Sequence, residues 1–534
     1  MTSWWSGAVG YQIYIRSFSD SDGDGVGDLA GIRARLSYLA DLGVDIVWIT
    51  PFYPSPGADH GYDVADYTGV DPMFGSLDDV AALVSEAHDL GLRIVIDLVP
   101  NHSSDQHPWF VDARSGPDAR HRDWYVWREG GPDGSPPNNW VSNFGGPAWT
   151  YDEPSGEWFM HLFLPEQPDL NWANEEVRDA FDDVLRAWAE LGVDGFRIDV
   201  AHSLIEHPDF LDNPLRGAPP PPGASPSEVF DAYDHVHDQD RPEVLDIYRR
   251  WSRVLESHDG LLLGEVYLLD TDEVARYVRD GDGLDLAFCF PVLRTPWDAE
   301  AIRSMLERSV AAGGDAFAWP LSSHDDPHAA TRFGGGEVGA RRSAAYFALL
   351  CALPGVPFLY QGDELGLDDG EVSGAFADPI AVRNPGAVGR DGSRTPMIWE
   401  PGPGHGFTTG TPWLPFGRPD ADEHAASVQA GDPGSALERT RALLATRRQL
   451  PDLRDDLTAS WPDVDGPLVA VRRGSTTAVL HVAADGADQG AVATFEVGDV
   501  ELVHASADGA TVEDGALRLP PDCTAFVVDR TARS

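Results

Sequence analysis

Eight short apolar runs, most of them followed by an amphipathic stretch, constrain this chain more than any other feature. They cover residues 11–18, 45–52, 92–100, 194–202, 261–267, 284–291, 316–325 and 356–365. The intervening stretches repeat apolar residues at helical spacing over 29–42, 77–90, 175–191, 243–258, 298–312 and 340–353, with a last one at 436–450. Short apolar runs bounded by turn residues read as buried strands. Helices between them supply the long crossovers that parallel strands need. Eight such units predict an α/β chain folded as a (β/α)8 TIM barrel. A doubly wound open sheet is the rival, but it seldom needs eight strands. No Gly-x-Gly-x-x-Gly follows the first run either.

Three segments interrupt the rhythm. Residues 102–167, rich in Trp, Gly, Pro and Asp, separate the third strand from its helix and are long enough for a small inserted domain. Residues 203–241 form a long loop after the fourth strand and include four consecutive prolines at 219–222. Residues 368–434 are irregular and follow the eighth strand. Beyond about residue 455 the period changes to two, in runs at 468–473, 477–483, 491–497, 501–505 and 516–528. The expected organisation is a barrel over 1–101 and 168–454, an insertion over 102–167, and a C-terminal antiparallel β domain over 455–534.

Composition narrows the partners. The 534 residues carry 88 Asp plus Glu against 38 Lys plus Arg, a net charge of −50, and all the cations are Arg. Such a surface repels phosphate backbones and anionic lipid, so neither nucleic acid nor a membrane is an expected partner. The 17 Trp, 14 Tyr and 22 Phe offer ring faces suited to sugar rings or hydrophobic ligands. Three cysteines exclude a disulfide scaffold, and Cys289 and Cys351 sit in apolar runs as buried small hydrophobes. No apolar stretch reaches membrane-spanning length, and residues 1–9 lack the charge and apolar core of a signal peptide, so a cytoplasmic location is expected.

In a barrel of this kind the reacting groups sit at the C-terminal ends of the strands. Those ends carry Asp97 to His102, Arg197-Ile198-Asp199, Gly264-Glu265 and Ser323-His324-Asp325. Arg197 and Asp199 are two apart on a strand and share a face, so the cation is expected to keep Asp199 ionised as a nucleophile requires. Glu265 follows apolar residues with no adjacent cation. Burial there predicts a raised pKa, as a general acid needs. Any one of these carboxylates could be a cap or a structural ion pair. Their clustering on successive strand ends argues for a catalytic set.

These four strand-end motifs, in this order, resemble the alpha-amylase family of glycoside hydrolases (family 13) over nearly the whole chain. Gly61-Tyr62-Asp63, Gln167-Pro168-Asp169-Leu170-Asn171-Trp172, Tyr360-Gln361-Gly362-Asp363-Glu364 and Arg394-Thr395-Pro396-Met397 resemble its alpha-glucosidase and oligo-1,6-glucosidase branch. The resemblance implies Asp199 as nucleophile, Glu265 as acid/base and Asp325 as transition-state stabiliser. It implies that His102, Arg197 and His324 hold the sugar or the nucleophile, with the Tyr62 ring beneath the sugar. It further implies a clamp on the non-reducing end by Asp63 and an Arg, with Arg390 and Arg394 both open. Ser323 stands where the family usually has Asn, and Ile398 and Glu400 where Gln and Asp are common.

The expected reaction is retaining, exo-acting hydrolysis of short α-glucosides, with maltose-type substrates favoured narrowly. Val200, just after the nucleophile, resembles the residue of oligo-1,6-glucosidases, and that linkage is the alternative. A transglycosylase or isomerase such as trehalose synthase or sucrose isomerase is a further one. A non-catalytic sugar-binding barrel fits less well, because all three carboxylates are present.

One loop reads as a metal site. Asp20, Asp22 and Asp24, then Gly25, copy the first half of an EF-hand, with the Val26 carbonyl and Asp28 completing the oxygen set. Ca²⁺ is the expected ion and Mg²⁺ the second choice, in a structural role. A solvated acidic turn is the plain alternative.

Overall fold

The computed structural model describes residues 3–530 apart from 280, 282, 375, 385, 456 and 487–490. Met1 and Thr2 of the segment read above for a leader lie outside the described residues. The eight apolar runs all form strands of one closed parallel barrel. They are β1 (Gly10–Ile13), β2 (Ile46–Ile49), β3 (Arg93–Leu98), β7 (Gly195–Ile198), β8 (Leu261–Gly264), β9 (Leu286–Phe288), β10 (Phe317–Pro320) and β11 (Val356–Tyr360). The order round the barrel is β1-β2-β3-β7-β8-β9-β10-β11, and β11 pairs back to β1. The runs are longer than the strands because they continue past the last ladder residue, the first into a short helix (Ile15–Phe18) and others into the polar mouth.

The Phe358 ring packs so closely on the start of β1 that position 10 needs a glycine. A Cβ at Gly10 would lie 2.2 Å from the Phe358 ring. Helices Leu29–Leu42, Leu77–Asp89, Glu175–Glu190, Val244–Leu255, Ala299–Ala312 and Gly336–Leu350 surround the barrel. Local chemistry starts several of them. Ser76 and Asp79 form a reciprocal capping box, and Asp28, Asn174 and Asp298 each accept a backbone N–H of the first turn. The helix after β10 begins at Gly336, four residues before the apolar period does. Gly334 and Gly335, at φ of 113° and 70°, turn the chain into it.

The insertion is more ordered than its composition predicts. It holds a three-stranded antiparallel sheet of β4 (Trp127–Arg128), β5 (Trp149–Asp152) and β6 (Glu157–Met160), in the order β4-β6-β5. Its ends are tied to the barrel by a bridge between His102 and Asp169 and by the Trp172 indole, which donates to Pro100 O at 2.8 Å.

The C-terminal strands are β12 (Leu468–Arg473), β13 (Thr476–His481), β14 (Ala493–Glu496), β15 (Val500–Ala505), β16 (Thr511–Glu513), β17 (Ala516–Leu519) and β18 (Cys523–Asp529). They form two antiparallel sheets, β12-β13-β18-β15 and β14-β17-β16. The expected single strand over 516–528 is two strands in different sheets. Pro520 and Pro521 cannot donate to a ladder, and Asp522 turns the chain at φ 52°. The Asp522 carboxylate then accepts from the Trp297 indole (2.9 Å) and meets Arg341 (3.2 Å), joining this region to the barrel helices. All three cysteines are buried free thiols. Among the described residues no helix is long and apolar enough to cross a membrane.

Candidate active site

The barrel mouth opens into a cleft of about 350 Å³. Strand ends supply its floor: Tyr62, His102, Asp199, Glu265, His324 and Asp325 all line it. The three interrupting segments supply its walls, with Phe144 and Phe163 from the insertion, Phe230 and Gln239 from the loop after β7, and Ile380 and Arg390 from the segment after β11.

Arg197 is the hub. Its Nη1 donates to Asp199 Oδ1 and to Asp97 Oδ1, both at 2.6 Å, and its Nη2 lies 2.8 Å from Glu265 Oε2. Asp199 and Glu265 therefore hang on two nitrogens of one guanidinium. Glu265 Oε2 also accepts the Val200 N–H at 2.9 Å. That bond is made possible by Val200's φ of 45°, an unfavourable conformation for a β-branched residue. Such strain, held beside the Asp199–Glu265 pair by surrounding structure, marks functional sites.

The sharing of Arg197 corrects one expectation. A single cation cannot neutralise three buried carboxylates. Burial dominates at Asp199 and raises its pKa well above the ordinary range, with Arg197 drawing it back only in part. Burial likewise raises Glu265, and it pushes Asp97 up to about 6. The Asp199–Glu265 pair titrates as a unit that keeps a proton to unusually high pH. The firmly anionic member of the site is Asp325. Burial would raise it, but the guanidiniums of Arg390 (2.8 Å) and Arg394 (2.9 Å) hold it well below the carboxylate range.

A second chain of bonds fixes the histidines. Gln12 Nε2 donates to His324 Nδ1 at 2.7 Å, His324 Nε2 reaches the Tyr62 hydroxyl at 2.8 Å, and that hydroxyl donates to Asp97 Oδ2 at 3.3 Å. The Tyr62 and His324 rings stack with planes 5° apart. Burial holds both histidines neutral, with His102 down to about 3.

Asp63 is not in the cleft. Its carboxylate accepts Ser55 Oγ (2.8 Å), Ala58 N (2.8 Å) and Asp59 N (3.0 Å), so it is consumed in closing its own loop. Asp59, not Asp63, lines the cleft, and it pairs with Arg390 at 3.1 Å. Sequence reasoning missed Asp59, although it lies four residues from the position chosen. Of the two arginines left open, Arg390 lines the cleft and also holds Asp378 at 2.9 Å. Arg394 is 1% exposed, donates to His324 O, and supports Asp325 from behind. Behind Arg390 the cleft end is bridged by Arg383 to Glu166 at 2.6 Å and by the Asn384 amide to Phe144 O at 2.9 Å.

In the acidic loop, one carboxylate oxygen each from Asp20, Asp22 and Asp28 converges within 4.8 Å. Asp24, expected as a fourth carboxylate ligand, is outside this group. Its Oδ1 accepts the Val26 N–H at 2.7 Å in a local turn. Three like charges this close, on a loop held by backbone donors to Asp20 and Asp28, suit a hard divalent cation.

The family profile described as "Alpha amylase, catalytic domain" matches residues 12–456. The chain is 39% identical over 465 residues to a probable alpha-glucosidase of Rhizobium meliloti, covering 84% of this chain and 83% of that one. It is 38% identical over 457 residues to an oligo-1,6-glucosidase of Heyndrickxia coagulans, covering 78% and 80%. The crystal structure of the alpha-glucosyl transfer enzyme XgtA superposes with a TM-score of 0.91 at 39% identity, over 99% of this chain and 100% of that one. With a closed barrel, acids and histidines gathered at its mouth, and a family match spanning most of its length, the chain belongs to the alpha-amylase family of glycoside hydrolases.

Proposed function

We propose that this protein is a retaining, exo-acting α-glucosidase that releases α-glucose from the non-reducing end of short, maltose-type α-1,4-glucosides. The observation that carries the reading is the attachment of Asp199 and Glu265 to two nitrogens of one guanidinium. Two carboxyls so coupled suit direct attack at the anomeric carbon, whereas an inverting pair needs room for a water between them. Glu265 Oε2 is committed to Arg197 and Val200 N, so Oε1 carries the proton that is passed to the glycosidic oxygen. Asp199 attacks, a β-glucosyl ester forms, and the leaving sugar departs. Water then gives its proton to Glu265 and adds to C1, and Asp199 is released. Asp325, with Arg390 and Arg394 behind it, binds sugar hydroxyls as charge develops on the ring. The bridged end behind Arg390 favours chain ends over polymer interiors. Proton NMR of the first glucose released from an aryl α-glucoside, where all of it comes from the glycone, is expected to show the α anomer; β-glucose at early times would reject the mechanism.

Val200 supports a second reading, oligo-1,6-glucosidase activity, since it lines the cleft beside Glu265. One such side chain against the next sugar shifts selectivity by about 1–3 kcal/mol. Initial rates on maltose, isomaltose, sucrose and trehalose separate the two, and a dominant isomerised product would point to transfer instead.

Asp59 and Arg390 are proposed to clamp the non-reducing glucose. Asp59→Ala is expected to raise KM about tenfold or more, the loss of roughly 1.4 kcal/mol of binding. Asp63→Ala is expected instead to lower the melting midpoint, because it strands three donors at a cost of about 2–4 kcal/mol. Equal KM effects from the two variants would refute that division of roles.

We also propose a structural Ca²⁺, with Mg²⁺ as second choice, held by Asp20, Asp22 and Asp28. The ion would offset their mutual repulsion and fix the loop against the 407–413 segment, where Thr408 bonds Asp20 and Trp413 N donates to Gly25 O. Chelation is expected to lower the melting midpoint by several degrees, restored by added Ca²⁺ and accompanied by a calorimetric binding signal. A chelator-insensitive midpoint with no binding heat counts against it.

A further inference from the structure

A second cavity, of about 20 Å³ and so with room for about one water, lies inside the barrel beneath the cleft. The two share Glu265, Tyr267, His324, Asp325 and Asp326, so the cavity continues the cleft downward. Asp199 lines the cleft alone, whereas Glu265 lines both. The cavity walls mix aromatic rings, Trp48, Phe288 and Phe358 among them, with polar side chains, and two polar atoms of its lining residues are unsatisfied. Gln12 Oε1 and Arg197 Nε are buried and have no hydrogen-bond partner among the described residues. Gln12 is 1% exposed and Arg197 2%. One is an acceptor and the other a donor. Each of their other side-chain nitrogens that could have turned inward is already engaged, Gln12 Nε2 by His324 and the two Nη of Arg197 by the carboxylates. Buried groups left this way are normally satisfied by ordered water, which needs a polar, roomy site with two or more partners.

We propose that this cavity binds ordered water and delivers the hydrolytic water to Glu265 from within the barrel, on the side away from Asp199. The inference rests on the retaining reading above. In the second step the water oxygen bonds to C1 as the C1–O bond to Asp199 breaks. The water proton goes to the Glu265 carboxylate, and Asp199 leaves as the carboxylate. A water held at Gln12 and Arg197 arrives on the face of C1 that the departing sugar has vacated, where Glu265 can take its proton. An acceptor sugar must come instead through the open cleft. The two nucleophiles therefore reach the same ester by different routes, and cavity occupancy sets how the ester divides between hydrolysis and transfer.

Two substitutions move the cavity in opposite directions. Ser323 lines it, and its Oγ accepts the N–H groups of Asp325 and Asp326, both at 3.2 Å. Ser323→Asn adds bulk while keeping a side-chain acceptor, and Phe288→Leu removes bulk from the wall. With maltose as both donor and acceptor, the ratio of transfer product to free glucose is expected to rise about fivefold in Ser323→Asn and to fall about threefold in Phe288→Leu. Release of nitrophenolate from an aryl α-glucoside, which reports the first step, should change less than threefold in each. A crystal structure resolving solvent should place a water within hydrogen-bond distance of both Gln12 Oε1 and Arg197 Nε. A dry cavity, or ratios that do not move in opposite directions, overturns the proposal. If Ser323→Asn fails to fold, Phe288→Leu and the solvent structure still decide it. The first-formed anomer, read by NMR on the aryl α-glucoside reaction, separates the outcomes: retention with unmoved ratios ends this inference alone, and inversion ends the parent reading.

Discussion

Asp199→Ala is expected to lower kcat/KM for maltose by on the order of 10⁴-fold or more, as removal of a covalent nucleophile does when the other catalytic groups remain. At 1.36 kcal/mol per decade that is a loss of at least about 5.4 kcal/mol of transition-state stabilisation. The fold should persist, because Arg197 keeps Asp97 and Glu265 as partners and the lost carboxylate relieves a crowded cluster. Truncation leaves space on the side of C1 where Asp199 attacked. Added azide is therefore expected to restore part of the rate with an activated aryl α-glucoside and to give the β-glucosyl azide. A variant that keeps wild-type activity would remove Asp199 from the mechanism altogether. One that is inactive but yields an α-linked azide would assign the attack to another group.

Glu265→Gln should cost about 10²–10⁴-fold on maltose, the usual worth of a positioned general acid. The loss should be much smaller in the first step with a nitrophenyl leaving group, which departs without protonation. Steady-state turnover would then stall at the ester, visible as a burst of nitrophenolate. The pH profile supplies a second reading. Burial raises the pKa of Glu265, so wild-type kcat/KM should fall as pH rises through that value and the proton is lost. The fall at low pH comes from protonating the remaining carboxylate of the pair, which removes the nucleophile. The two limbs belong to the pair as a unit. Glu265→Gln has no proton to lose there, so its high-pH limb should flatten. A limb that persists unchanged assigns it to a different group.

Much of this was legible along the chain because it is written in local periods. Eight apolar runs and the helical stretches between them predict a closed barrel whatever the loops do, and each run is a barrel strand. The strand-end carboxylates were legible for the same reason: in a barrel, sequence position relative to the strand fixes which end a residue occupies. Where local reading failed, a neighbour distant in sequence decided. Asp63 reads as a cleft residue until Ser55 and the backbone of Ala58 and Asp59 fold back to saturate it. Asp59 is freed for the cleft by the same turn. The strand expected over 516–528 is cut by two prolines, a signal that was present and outweighed by alternation.

By itself, then, the sequence determined the architecture, the family and the set of chemical groups at the barrel mouth. Those depend on spacing and residue type within a few turns of chain. Only the tertiary structure decided how the groups share charge. Arg197 stands two residues from Asp199, but Asp97 and Glu265 reach it from the neighbouring strands β3 and β8. Asp325 receives Arg390 and Arg394 from a segment 65 or more residues away. Electrostatic energy falls with distance in space and rises with burial, neither of which is a property of the chain read in order.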